Sequence, residues 1–191
     1  MSENSKPGIA LYIGFVAWLA YSALGAWGYW KTAACAGLVI MLEIVAWEVH
    51  ARRVKIIDCT SLGFFFLAIV ALVTLGEGYF IRYQVVFGWG LFAAVAWITM
   101  IAGVPFRLQY ARERTPRDRW NEPGFRGVHF RVSVAWAIIF TFDTALGAIA
   151  LDVGHRSLLV VIMPGASMLI GGALTLLYPA YYRYELAPQL T

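Results

Sequence analysis

Two carboxylates and one dense group of arginines are the residues of this sequence whose type and spacing could do chemistry. Glu43 lies about ten residues into one apolar run and Asp143 about eleven into another. At 1.5 Å rise per helical residue, both approach the middle of a bilayer. No lysine or arginine stands at comparable depth in either run. An ionised carboxylate there is costly, so each acid is expected to be protonated, hydrogen-bonded or turned towards a wet cavity. Such acids could relay protons or hold a substrate in a small carrier. They could equally be neutral groups bonded to Thr141, Thr144 or a neighbouring helix.

The arginines are Arg107, Arg112, Arg114, Arg117, Arg119, Arg126 and Arg131. They are interleaved with Glu113, Asp118 and Glu122 and with Tyr110, Trp120, Phe125 and Phe130, while Pro116 and Pro123 break the stretch into short pieces. Guanidinium groups beside aromatic rings at a membrane surface attract anionic headgroups, at about 1 kcal/mol per basic residue. Arg112, Arg114, Arg117, Arg119, Trp120 and Arg126 are the candidate contacts for anionic lipid or a protein partner. The same charge is also a plain topology signal. Nucleic acid is a poor partner, since no binding module accompanies the arginines.

Other chemistries find little support. Cys35 and Cys59 are isolated, with no metal-ligand spacing, and His50, His129 and His155 are scattered rather than paired. No Ser-His-Asp set, zinc motif or facing histidine pair for haem is present, so no catalytic residue, metal or cofactor is expected. Glu48, Asp58, Glu77 and Asp152 stand near the ends of apolar runs, where a charge is expected to reach water.

The elements that must position these residues follow from composition. Of 191 residues, 61% are hydrophobic and 14% charged, and mean hydropathy is +0.69, where a soluble domain has about 45–50% apolar residues. Six nearly uncharged runs, at about 8–30, 33–49, 57–76, 85–104, 132–153 and 158–182, are each long enough to cross a hydrocarbon core. Backbone amides in lipid need internal partners, which a helix or closed barrel supplies, and the alternation of a barrel strand is missing. The expected fold is all-α: a polytopic bundle of about six transmembrane helices, forming a single integral membrane domain over 1–191 with one basic loop at 105–131. The first run lacks a strongly basic start and a clear cleavage signature, so it is read as retained.

Charge sets the expected orientation. Lys6, Arg52, Arg53, Lys55, Arg183 and the seven loop arginines put twelve positive charges on one side, against Lys31, Arg82 and Arg156 on the other. The richer side is cytoplasmic by the positive-inside rule, and both termini with it. Trp47, Trp97 and Trp136 then fall near inner helix ends and Trp27, Trp30 and Trp89 near outer ones, where amphipathic indoles prefer to sit. The triplet VAW ends at Trp18, Trp47, Trp97 and Trp136 without regular spacing, so it is a matter of composition rather than a repeat. GASMLIGGAL, 165–174, offers the small residues that let membrane helices approach closely.

Several segments together resemble the intracellular septation protein A family of bacterial inner-membrane proteins. They are YWKTAA before the second run, ARRVKIID at the next turn, FIRYQVVFGWGLFAA entering the fourth, and TPRDRW followed by FRVSVAWAIIFTFDTALGAIA. Order and spacing agree over about 29–182. The chain departs from the family pattern at Thr115-Pro116, which replaces leucine-proline, in the missing asparagine of HFRVSVAW, and at Asp143, a position usually apolar or small. The resemblance implies a bacterial inner-membrane bundle without catalytic activity, tied to envelope upkeep and cell division through other membrane proteins. Two functions are carried forward: a non-enzymatic envelope or septation protein docking partners or anionic lipid through 105–131, and a small carrier for a lipophilic or protonatable solute using Glu43 and Asp143. An intramembrane enzyme acting on lipid ranks below both, since no nucleophile, base or metal set is recognisable.

Overall fold

The computed structural model describes residues 9–113, 115–153 and 158–181. Lys6, His155, Arg156 and Arg183 lie outside them. The described chain is helical throughout, without a strand. Its α-helices are α1 (Ile9–Ala26), α2 (Trp30–His50), α3 (Ile56–Thr74), α4 (Glu77–Ile101), α5 (Phe106–Arg112), α6 (Pro123–Val153) and α7 (Leu158–Tyr181), with a 3-10 turn at Arg117–Arg119. Four helices are long and apolar enough to cross a membrane: α2, α3, α4 and the Pro123–Leu151 part of α6. The described parts of α1 and α7 add shorter apolar stretches, Val16–Ala26 and Gly165–Pro179.

Two helices begin well before their apolar runs. α4 starts at Glu77 rather than near 85, and α6 at Pro123 rather than near 132. Hydropathy marks where a chain stops preferring water; the helix starts where backbone geometry allows. Pro123 is the first residue of α6, where its fixed φ suits a helix and its missing N–H costs no bond. Much of the expected 105–131 loop is therefore helix, although Pro116 and Pro123 still divide it, the first just before the 3-10 turn and the second at the start of α6.

The helix ends are closed by local rules. α1 ends with Gly28 at φ +84, donating to Gly25 O at 2.9 Å while Tyr29 N reaches Leu24 O at 3.0 Å. α4 ends the same way, with Gly103 at φ +73 bonded to Met100 O at 2.9 Å and Val104 N to Thr99 O at 3.0 Å. Both are Schellman closures, which favour glycine because its left-handed conformation meets no Cβ penalty.

The chain divides into two compact units, Met1–Ile81 and Arg82–Thr191. In the first, α1 and α3 both pack on α2 or through it around an aromatic cluster. Trp18 lies 4.8 Å from Phe64 and 5.0 Å from Phe65 between ring centroids, and Tyr21 meets both phenylalanines edge-on. Gly37 of α2 lets Phe65 lie directly against the backbone, since a Cβ there would sit 2.5 Å from the ring. In the second, Phe140 of α6 gathers Trp89, Phe92 and Trp136 at 5.3–6.0 Å, and Gly171 of α7 gives Trp136 its space.

Large apolar side chains also cover the outer faces: Val73, Leu169 and Ile101 are 74%, 77% and 84% exposed. Large side chains exposed in this way cost nothing to a helix whose surroundings are lipid.

Candidate functional site

The arginine segment is an ordered surface. Trp120, ending the 3-10 turn, donates its indole N–H to Thr115 O at 2.8 Å, which fixes the ring. The Arg112 guanidinium carbon lies 5.2 Å and that of Arg117 5.8 Å from the Trp120 ring centroid. Each contact is attractive by about 0.5–1 kcal/mol at an exposed site. The Arg112 Nε is buried without a hydrogen-bond partner, so its guanidinium is held by the ring rather than by a carboxylate.

Arg119 is committed elsewhere. Its Nε and a terminal nitrogen donate to the two Glu122 oxygens at 3.0 and 3.2 Å, a forked pair across one turn. Those hydrogen bonds, and the carboxylate's charge, hold the Arg119 guanidinium above its already high ordinary value. Its positive charge is largely offset where it stands. Arg114 lies outside the described residues.

Arg126 does not join this group. With Arg131 it borders a groove of about 400 Å³ between the α4–α5 corner and the start of α6, whose floor includes Pro105, Leu108 and Phe130. Arg131 donates to the Tyr178 hydroxyl of α7 at 2.9 Å. Of the six expected contacts, then, Arg112 and Arg117 assemble on Trp120, Arg119 pairs with Glu122, and Arg126 belongs to a second place. Arg131, which belongs to the expected docking segment but not to its six named contacts, stands beside Arg126. Pro123 was the signal that could have revealed this, because a helix starting there carries both arginines on α6 before its apolar part.

The two acids set within apolar helices have different surroundings. Asp143, in the second unit, is fully buried and accepts a hydrogen bond from Ser167 of α7 at 2.7 Å. Its other oxygen, Oδ1, is buried with no hydrogen-bond partner among the described residues. Thr141 and Thr144 do not serve it; each hydroxyl donates to a carbonyl of its own helix, Ala137 O and Phe140 O, at 2.7 Å. Glu43, in the first unit, is exposed on α2 between Leu42 and Trp47.

The expectation that Glu48 and Asp58 reach water is overturned. The Glu48 and Lys55 side chains are 1% and 3% exposed and joined at 2.5 Å, Lys55 N also donates to Glu48 Oε2 at 3.1 Å, and Asp58 Oδ2 lies 4.0 Å from the ammonium. The cause is the α2–α3 turn. Arg52 adopts φ +54 and Arg53 N closes on Glu48 O at 2.9 Å, which folds Lys55 back over the end of α2. Gly14 of α1 then covers Asp58, and a Cβ at Gly14 would lie 2.8 Å from Oδ1.

Three of the four VAW triplets also have a structural role that composition did not explain. Trp18 donates to Ser61 Oγ at 3.1 Å, Trp97 to Thr141 Oγ1 at 3.0 Å and Trp136 to Thr175 Oγ1 at 2.8 Å. Each bond joins two helices. Hydroxyl contacts of this kind hold membrane helices together at about 0.6 kcal/mol apiece.

Compared with family models, with curated proteins and with solved structures, the chain matches none of them.

Proposed function

We propose that this is a non-enzymatic, multi-pass protein of the bacterial inner membrane whose arginine-rich segment, 105–131, docks anionic lipid. In this reading the chain crosses about six times, with both termini in the cytoplasm, on the strength of twelve positive charges against three. A place in envelope upkeep and septation, and recruitment of protein partners there, rests on the sequence resemblance.

The observation that carries the proposal is the clamp of Arg112 and Arg117 on the anchored Trp120 ring. An indole prefers the depth of the headgroups, and two guanidiniums on its faces meet phosphate at that depth. The test is the charge reversal Arg112→Glu, Arg117→Glu and Arg119→Glu in the full chain, after insertion and topology have been confirmed. Co-purified phosphatidylglycerol should fall relative to phosphatidylcholine, and an unchanged ratio refutes docking.

A second reading, a small carrier for a lipophilic or protonatable solute, is favoured by the buried Asp143 Oδ1 that lacks a hydrogen-bond partner among the described residues. A free oxygen at that depth is where a proton or a donor group on a solute would bind. Asp143→Asn should then abolish pH-driven uptake of the solute in reconstituted vesicles, and normal uptake removes the acid from any carrier role.

A further inference from the structure

Four helices end on a left-handed residue, and one of those residues breaks the rule that the other three follow. Among the described residues, φ is positive at Gly28, Arg52, Gly76 and Gly103, at +84, +54, +88 and +73. Each lies two residues past the last residue of a helix: Ala26, His50, Thr74 and Ile101. At the end of α2 the closure repeats the Schellman pattern of α1 and α4, with Arg52 N on Val49 O at 3.0 Å and Arg53 N on Glu48 O at 2.9 Å. Three of the four positions carry glycine, which meets no Cβ penalty there; the fourth carries arginine, whose Cβ crowds the following carbonyl. A departure of this kind from local preference points to a use for the side chain.

What Arg52 offers is charge at one defined place. Its side chain and that of Arg53 are exposed, and neither has a hydrogen bond or an ion pair among the described residues. The third cation of the turn, Lys55, is buried against Glu48 and Asp58. The field at the C-terminus of α2 and the topology bias do not account for Arg52. Both respond to any nearby cation, and Arg53 supplies one without a left-handed backbone.

The neighbours indicate what that charge meets. α2 is long and apolar enough to cross a membrane, and Trp47 and Val49 of its last turn are both 58% exposed. Val54, just beyond the two arginines, is exposed as well. Apolar side chains therefore bracket the guanidiniums along the chain. With α2 in a bilayer, the indole lies at the interface and the arginines stand at the depth of lipid phosphate.

We propose that Arg52 and Arg53 form a docking point for the phosphate of an anionic phospholipid, and that arginine occupies the left-handed position for the sake of that contact. The docking point depends on the membrane placement proposed above, not on the Trp120 clamp, and lies in the first compact unit. A planar guanidinium presents its donors in a fork that matches phosphate oxygens. A zwitterionic lipid brings its own ammonium beside the arginines and loses much of the attraction.

The experiment joins two readouts on the full chain in mild detergent: thermal melting, and native mass spectrometry during titration with phosphatidylglycerol or with phosphatidylcholine of the same acyl chains. Arg52→Gly should raise melting by about 2–8 °C, because it removes the backbone penalty. The same variant should weaken one phosphatidylglycerol adduct about fivefold. Arg52→Gln should weaken that adduct equally with no gain in melting, since a side chain remains at the left-handed position. Arg53→Gln should weaken it with melting unchanged. Each variant removes one of twelve cations, which leaves the charge bias in place, and topology is confirmed for each.

Undiminished phosphatidylglycerol in Arg52→Gly or in Arg53→Gln overturns the docking point, as does an equal loss of phosphatidylcholine in Arg52→Gly. Lower melting in Arg52→Gly overturns the reason given for arginine at that position, because the side chain is then structural. Should Arg52→Gly fail to insert, Arg52→Gln and Arg53→Gln decide: an undiminished adduct in either overturns the site. The clamp and the docking point fail separately. Lipid lost on reversal of Arg112, Arg117 and Arg119 but kept in Arg52→Gly removes the docking point alone. Lipid weakened in Arg52→Gly with no response to that reversal removes the clamp alone.

Discussion

Replacing Lys55 with methionine tests the most concentrated electrostatic feature of the first unit. Lys55 and Glu48 are almost wholly buried, and the ammonium is shared with Asp58 at 4.0 Å. Methionine keeps the length of the side chain, so lost packing contributes little. What changes is charge: two carboxylates stay under Gly14 and the α2–α3 turn with no cation between them. Removing one member of a buried pair costs about 3–5 kcal/mol, because the remaining charge is left uncompensated. At about 2–4 °C per kcal/mol for a chain of this size, melting should drop by roughly 6–20 °C. The measurement is thermal unfolding of the full chain in mild detergent, followed by circular dichroism. Glu48→Gln combined with Lys55→Met should melt above Lys55→Met alone, since the double change removes one of the stranded carboxylates. That rescue separates charge from packing, which no single substitution could. If Lys55→Met costs under about 1 kcal/mol, as an exposed pair would, or if the two changes simply add, the cluster does not act as a buried unit.

Two neighbouring glycines of α7 should behave oppositely. A Cβ at Gly171 would lie 2.8–2.9 Å from the Trp136 ring, while one at Gly172 meets nothing within 4 Å. Gly171→Ala should therefore cost about 1–3 kcal/mol through overpacking and break the bond from Trp136 to Thr175, read as lower melting with altered tryptophan fluorescence. Gly172→Ala should be neutral or stabilising by up to about 1 kcal/mol through helix propensity; equal effects would contradict the packing described. Anionic-lipid association should also stay flat between about pH 5 and pH 9, because arginine does not titrate there and the Arg119 shift is upwards, further from that window. A fall in retained phosphatidylglycerol across that range would point to a carboxylate or histidine rather than arginine.

The helices were legible because long uncharged runs without the alternation of a barrel strand must satisfy their amides within themselves. Their starts were not, since hydropathy is silent about the polar turns that carry α4 back to Glu77 and α6 back to Pro123. Asp143 stood out because an acid in an apolar run is conspicuous, yet its partner Ser167 lies 24 residues away on another helix. Glu48, Lys55 and Asp58 looked like ordinary interfacial charges. Only the left-handed Arg52, a conformation that a non-glycine residue seldom adopts, folds the turn tightly enough to bury them. The same limit applies to the VAW tryptophans, whose ring depth follows from chemistry but whose hydroxyl partners are tertiary facts.

The arginines pose a problem that their number alone cannot resolve. In the proposed topology positive charge keeps 105–131 on the cytoplasmic side, and the same charge attracts anionic headgroups, so any variant that removes several arginines would disturb topology and lipid binding together. A lost lipid would then have two explanations. Local geometry separates them, because the seven arginines are not equivalent: Arg119 is offset by Glu122, Arg112 and Arg117 share Trp120, and Arg126 and Arg131 border a groove. Topology responds to the sum of charge, whereas docking at the Trp120 ring responds to where that charge stands. Trp120→Leu removes the ring with no change in charge, so a lipid lost in that variant, with topology intact, belongs to the Trp120 surface and not to the field of the loop.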